Sequence, residues 1–137
     1  MKLWPVLLVL ALVPLGCSAD EMAPPSASPS PSALSAVSLA SQHGLHVLGG
    51  SPTTLPQSLD ALPWDLYQTA CRKSGFDLRP YRGQEVLFTA HPLQERHRGA
   101  AATLWTISAD DRLVGAYVSV DGEMPGVYSL DEAGAGF

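Results

Sequence analysis

The sequence has only two cysteines, Cys17 and Cys71, which is too few for a framework of disulfide bonds. Positive charge is also scarce. Eight Lys and Arg residues stand against 13 Asp and Glu residues, which gives a formal net charge of -5. Because nonspecific nucleic-acid binding needs a basic surface that displaces counterions, this charge argues against that function. With 137 residues, the chain has room for one domain.

Two common motifs of catalysis are missing as well. The chain has no Gly-x-Ser-x-Gly elbow for a nucleophilic serine and no glycine-rich loop of the kind that binds phosphates. The sequence therefore indicates a location and a fold class, but it does not point to a particular reaction.

Residues 1–17 are typical of a lipoprotein signal peptide. Lys2 is followed by an apolar run over residues 3–15, which is too short to span a bilayer comfortably. The run ends in Leu15-Gly16-Cys17, which resembles a lipobox, although Pro14 stands where leucine is usual. Cys17 is then predicted to carry a diacylglyceryl group, whose two chains give stable membrane attachment. The alternative is cleavage near Ala19, which would remove Cys17 and give a secreted protein.

Residues 18–32 are predicted to form a disordered tether. They are rich in Pro, Ser and Ala and have no periodic apolar pattern, so they cannot bury enough apolar surface to offset the entropy of ordering. The prolines favour an extended spacer between the membrane and a domain that covers residues 33–130.

The first part of that domain reads as helix, strand, helix. Residues 33–42 carry apolar side chains at helical spacing (Leu34, Val37 and Ala40), and Gly44 is a natural stop. Residues 45–48 are predicted to form a short strand. The second helix is predicted to have Asp60 as its N-cap, to accept Pro63 in its first turn and to end at Gly75.

The remainder reads as an antiparallel meander of three strands over residues 85–91, 102–108 and 113–120. Residues 92–99 are expected to be a polar loop, and residues 109–112 a tight turn. The fold class is therefore α+β, with the helices packed on one face of the sheet. Residues 127–130 are expected to dock, whereas residues 131–137 are expected to fray.

Several segments together resemble a known family. These are Gly44-Leu45-His46-Val47, Leu55-Pro56 with Leu59-Asp60, Gly75-Phe76-Asp77-Leu78 with Tyr81-Arg82-Gly83 and Val86, and Leu113-Val114-Gly115-Ala116. In this pattern, which covers about residues 33–130, the chain is similar to an uncharacterised family of exported, lipoprotein-like proteins of Gram-positive anaerobes, domain of unknown function 4830. The resemblance implies an exported domain that faces the cell envelope, and it brings no activity, cofactor or catalytic residue.

Candidate catalytic and metal-binding residues are sparse. Four histidines (His43, His46, His91 and His97) are present. His43 falls at a predicted helix end and His46 in a predicted strand, with no carboxylate or cysteine at a tight spacing from them, so we predict no metal site and no cofactor. Cys71 lies on the apolar stripe of the second predicted helix, beside Arg72 and Lys73. These cations could activate the thiol as a nucleophile, but a cysteine on such a stripe is more typical of a buried small side chain. Asp110 and Asp111 fit a turn.

The cations Arg72, Lys73, Arg79 and Arg82, with Tyr81 among them, cluster in sequence. Such a cluster is usually a solvated surface, and the functional interpretation is that it binds an anionic envelope polymer or an acidic partner.

The favoured hypothesis is a non-enzymatic, lipid-anchored binding module outside the membrane, with an unknown protein or envelope polymer as partner. One alternative is an envelope hydrolase or metal-dependent enzyme that uses His91, His97 or Asp110. Another is a structural subunit of an envelope assembly, which an exposed apolar patch around Trp64 and Tyr67 would favour.

Overall fold

The computed structural model describes residues 31–137, and their side chains from Ser35 onward. The predicted signal peptide and nearly all of the predicted tether therefore lie outside the described residues. The helices are α1 (Pro31–Gln42), α2 (Trp64–Lys73) and α3 (Leu130–Gly134), and the strands are β1 (Thr53–Ser58), β2 (Glu85–His97), β3 (Ala100–Ala109), β4 (Arg112–Val120) and β5 (Val127–Tyr128). Within residues 31–137, no helix is long and apolar enough to cross a membrane.

The five strands form one antiparallel sheet in sequence order, β1-β2-β3-β4-β5. The α+β class is thus confirmed, and the predicted meander of three strands is the centre of a wider one. Both tight hairpins use left-handed backbone conformations at their tips: Arg98 and Gly99 join β2 to β3, and Asp110 and Asp111 join β3 to β4. Two-residue turns of this kind match the natural twist of the strands.

The polar loop predicted over residues 92–99 is wrong, because β2 continues to His97. The sheet accommodates Pro92 by a register shift between Pro92 and Arg96 in the β2–β3 ladder. The continued strand also buries Leu93, which keeps this part of the chain on the sheet. Such a register shift changes the direction in which the following side chains point.

The predicted N-cap of the second helix is also wrong. Asp60 lies instead in a single 3-10 turn, Leu59–Ala61, and its backbone N–H donates to the side-chain oxygen of Ser58, which caps the turn. Pro63 explains the difference, because a residue before proline favours extended backbone and Leu62 adopts it (φ -106°, ψ 158°). The α-helix therefore begins at Trp64, and it ends before Gly75 as predicted.

The helices lie on both faces of the sheet, so the prediction that they share one face is confirmed only in part. Alternate residues of β3 belong to two separate buried clusters. Leu104 packs in one cluster with side chains of α1 and α3, whereas Ile107 packs in the other with Ala70 and Cys71 of α2. Because successive side chains of a strand point to opposite faces, the two clusters lie on opposite faces.

Helix α1 begins two residues earlier than predicted and buries a different stripe. Ala36 and Ala40 face the sheet and are fully buried, while Val37 is 48% exposed. The predicted Leu34 contact lies outside the described side chains. Gly44 follows the helix in a left-handed conformation, as expected of a helix stop.

The chain end is more ordered than the predicted frayed tail. Ser129 and Glu132 form a reciprocal capping box that starts α3, and Leu130 and Ala133 are buried under it. Gly134 lies so close to the carbonyl oxygen of His43 that no Cβ would fit between them. The helix is therefore held against the end of α1.

Candidate functional site

The most promising site is a groove between α1 and β2, on the sheet face that α1 covers. Its volume is about 310 Å³. We call it the α1–β2 groove, and it is lined by Val37, Val47, Leu48, Gly49, Gly50, Ser51, Pro52, His91 and Pro92.

The groove exists because the edge of the sheet is interrupted. Val47 bridges Leu93 of β2, and Thr53 of β1 pairs with Ala90 of the same strand. Between Val47 and Thr53 the chain advances six residues, whereas their partners on β2 are only three residues apart. The excess chain, residues 49–52, loops out beside β2. The strand predicted over residues 45–48 is therefore reduced to one bridge, and β1 follows the loop.

Two exposed aliphatic side chains form the walls of the groove. Val37 of α1 and Leu48 before the loop are each 48% exposed, which makes them two of the four large apolar side chains that the described residues leave exposed. Pro52 and Pro92 add further apolar surface. An exposed apolar surface that forms a concavity is a common feature of binding sites.

His91 contributes a polar group to this apolar setting. Its side chain is almost entirely buried, at 3% exposure, and its Nε2 lies 3.2 Å from Thr106 Oγ1. Nδ1 has no partner among the described residues, and none of their fully buried side-chain nitrogen or oxygen atoms lacks one. It follows that Nδ1 is not fully buried, and His91 is one of the residues that line the groove. Burial lowers the pKa of His91, so the ring favours its neutral form.

The loop supplies peptide groups to the same groove. The backbones of Gly49, Gly50 and Ser51 make no hydrogen bond within the described part of the chain, although all three residues line the groove. Because these N–H and C=O groups have no partner within residues 31–137, they are available to a ligand.

The predicted cationic cluster is largely paired with carboxylates in the structure. Arg79 forms a two-pronged ion pair with Asp77, with the shortest contact at 2.7 Å, and this lowers the pKa of Asp77. Lys73, at the end of α2, contacts Glu132 of α3 at 3.0 Å.

The last two members of the cluster have local roles as well. Arg82 lies 3.7 Å from Asp60, and its guanidinium stacks over the ring of Trp64 at 4.8 Å. Tyr81 is partly buried and packs against the buried cluster that contains Ala70 and Cys71 of α2. Arg72 is exposed. Because three of the four cations have carboxylate partners, the arrangement gives little support to a surface for anionic polymers.

The histidines and Asp110 do not converge on one site. His43, His46 and His97 each lie beside a different carboxylate, those of Asp131, Glu95 and Glu123. His97 and Asp110 stand at opposite ends of β3, a strand of ten residues, so roughly 30 Å separates them. Among the described residues, no group of three or more His, Cys, Asp and Glu side chains could hold a metal ion.

His97 belongs to a small cluster at the chain end. Its ring packs on Phe137 at 4.7 Å and on Tyr128 at 5.7 Å, and Tyr128 donates a hydrogen bond of 2.5 Å to Glu123. These contacts attach the last residues to the sheet, so a structural role accounts for the position of His97.

Cys71 is a buried residue of α2, with no measurable exposure. Burial raises the pKa of its thiol to about 12, so it is not an activated nucleophile. Cys17, the predicted site of lipidation, lies outside the described residues.

A second cleft, of about 470 Å³, lies between α2, β5 and α3. Its principal polar side chains are already bonded within the protein: Lys73 pairs with Glu132, and Tyr128 with Glu123. Trp64 and Tyr67 of the same helix are partly buried, and Tyr67 packs edge-on against Tyr117 at 4.9 Å. The exposed apolar patch around Trp64 and Tyr67 that would favour a structural subunit is therefore not found among the described residues. The α1–β2 groove is the better candidate, because Nδ1 of His91 has no partner within residues 31–137.

Sequence reasoning names His91 only as a possible enzyme residue and misses the walls of the groove. Helical spacing places Val37 in a buried stripe, and Leu48 falls in a predicted strand. The one available signal is the Gly49-Gly50-Ser51-Pro52 segment, whose composition is typical of an exposed loop.

No family model, curated protein or solved structure matches this chain. The resemblance to the uncharacterised exported family accordingly stays a prediction, and the site is argued from its own geometry.

Proposed function

We propose that this chain is a non-enzymatic binding domain, held at the outer face of a cell membrane by a lipid on Cys17, and that it binds its ligand in the α1–β2 groove. The observation that carries the binding role is that the buried His91, whose Nδ1 has no partner within residues 31–137, lines the same groove as the exposed Val37 and Leu48. A folded core that only needed stability would gain by covering these apolar groups.

The proposed location rests on the sequence. The charged start, the short apolar run and Leu15-Gly16-Cys17 favour export and lipidation, and the Pro-rich residues 18–32 favour a spacer. A small domain on such a spacer can reach partners that lie beyond the membrane surface.

Site-specific photocrosslinking in intact cells tests this function. A photoreactive amino acid replaces Leu48 in the groove or, as a control, the exposed Gln84. Gln84 precedes β2, roughly 20 Å along the strand from His91. We expect a discrete adduct from Leu48 alone, and we expect Val37→Asp to abolish it. Identical adducts from both positions, or none from Leu48, would reject the groove as the binding site.

A further inference from the structure

We propose that the α1–β2 groove binds an uncharged, extended peptide segment of a partner protein. This inference rests on the proposed function, because it specifies the chemical class of ligand for the same groove.

The lining of the groove determines the charge of its occupant. None of its nine residues is acidic or basic at neutral pH apart from His91, and the burial of His91 favours the neutral ring. A charged ligand group would lose its hydration without gaining an opposite charge, which is costly. The part of the ligand that enters the groove is therefore uncharged.

The size of the groove limits how much of the ligand it can enclose. At about 310 Å³, it lies at the lower end of the range for small-ligand sites. Such a volume suits one or two apolar side chains with the backbone that joins them. The aliphatic and proline walls suit aliphatic or proline side chains in return.

The unpartnered polar groups distinguish a peptide from a lipid chain. A ligand that covers the groove removes water from Nδ1 of His91 and from the peptide groups of residues 49–51. An acyl chain would leave these groups without partners, which is unfavourable. A peptide backbone offers both N–H and C=O groups, so it can satisfy the loop, and either kind of group can bond the neutral imidazole.

The neighbouring sheet edge favours an extended conformation. β1 begins at Thr53, directly after the groove residue Pro52, and it is an edge strand of the sheet. An extended segment that leaves the groove can continue along this edge by strand addition. Pro56 has no N–H, so it limits such pairing to the first part of β1.

Nuclear magnetic resonance titration of the full processed protein tests the ligand class. The probes are three tripeptides, acetylated and amidated, with Leu, Val or Pro between two alanines. We expect shifts at the backbone amides of residues 48–51 and at the His91 ring. Analogues with a central Asp or Lys should bind at least about tenfold more weakly, because burying an unpaired charge is unfavourable. N-methylation of the peptide backbone should weaken binding by about three- to tenfold, which corresponds to the loss of one neutral hydrogen bond.

Two protein variants provide a matched control. Val37→Asp places a charge in the groove wall and should abolish the shifts, whereas Leu87→Asp changes an apolar residue of similar exposure (45%) outside the groove and should leave them intact. Both residues are exposed, so both variants should fold.

Two results would overturn the inference. One is an absence of shifts at millimolar concentrations of every peptide. The other is binding of dodecanol, an uncharged alkyl chain, in the groove while the peptides fail. If Leu48 still yields its adduct in cells in either case, the groove binds a ligand of another class and the proposed function stands. If that adduct is absent too, both fail.

Discussion

A Cβ atom on Gly115 of β4 would lie only 2.7 Å from Cδ2 of Leu78, a fully buried residue of the core cluster that packs against α2. The sulfur of Cys71 and the Cδ1 atom of Ile107 would lie at 3.3 Å and 3.2 Å from the same position. The absence of a side chain at residue 115 thus sets how closely the segment after α2 approaches the sheet.

We expect Gly115→Ala to destabilise the protein. The added methyl group must displace Leu78, which is fully buried, and overpacking of this kind costs about 1–3 kcal/mol. Urea denaturation at neutral pH measures the change in the free energy of unfolding. Gly49→Ala is the control, because a Cβ atom at residue 49 would have no neighbour within 4 Å. It should leave stability unchanged or raise it by up to about 1 kcal/mol. Equal effects of the two changes would contradict the close contact at Gly115.

Local signals explain why much of the fold could be predicted from the sequence. Gly75 ends α2, and the Asp110-Asp111 turn closes a hairpin, because each needs a backbone conformation that few residues adopt readily. β1 escaped prediction because its sequence, TTLPQS, has no apolar alternation and contains a proline. It is a strand because β2 offers it an edge, which is a property of the tertiary structure.

The candidate site could not be predicted for a related reason. Val37, Leu48 and His91 come from three parts of the chain, and only the register between Val47, Thr53 and β2 brings them together. The exposure of Val37 depends on which stripe of α1 faces the sheet. Both Ala36 and Val37 fit a helical spacing, and the closer approach that alanine allows decides between them.

Gln68 is expected to stabilise the turn after α2 by hydrogen bonds that a sequence pattern does not reveal. Its buried side chain accepts a bond from the backbone N–H of Leu78 and donates one to Asp77, both at 3.0 Å. Gln68→Met keeps the length of the side chain but leaves the buried N–H of Leu78 unpaired, so we expect a loss of about 1–3 kcal/mol. Thermal and urea unfolding measure it. Gln94→Met, at an exposed glutamine of β2, should change stability by less than about 0.5 kcal/mol. A loss at Gln68 no larger than this control would show that the two bonds contribute little.

The burial of His91 should make stability fall in mild acid. Its pKa in the folded protein is below that in the unfolded chain, so between the two values only the unfolded chain binds the proton. The contribution of the neutral His91 ring to the free energy of unfolding is fully present above about pH 6.5, and it declines as the pH falls below that value. We expect urea unfolding to show a lower free energy at about pH 5.5 than at about pH 7.5. His91→Phe should reduce this difference.

One observation and one control variant isolate the contribution of His91. The hydrogen bond from Arg79 holds the pKa of Asp77 below its usual range, and the backbone N–H of Ser129 does the same for Glu132, so these carboxylates titrate at lower pH. His46→Asn removes an exposed histidine and should preserve the loss of stability in acid. If His91→Phe and His46→Asn have the same pH dependence, burial of His91 is not its cause.

Thiol labelling tests the burial of Cys71, and the intact mass of the processed protein tests the predicted lipid on Cys17. Cys71 has no exposure, and burial raises the pKa of its thiol to about 12, so iodoacetamide should not modify it in the native protein at about pH 8. If Cys17 carries the predicted lipid, the processed protein should gain no label when native and one when denatured. Its intact mass should correspond to a chain that starts at Cys17 with a diacylglyceryl group. One label on denaturation, with a lower mass and no lipid, would instead indicate cleavage after Cys17 and a secreted protein. Rapid native labelling that peptide mapping places on Cys71 would contradict its burial, and with it the packing of α2 on the sheet.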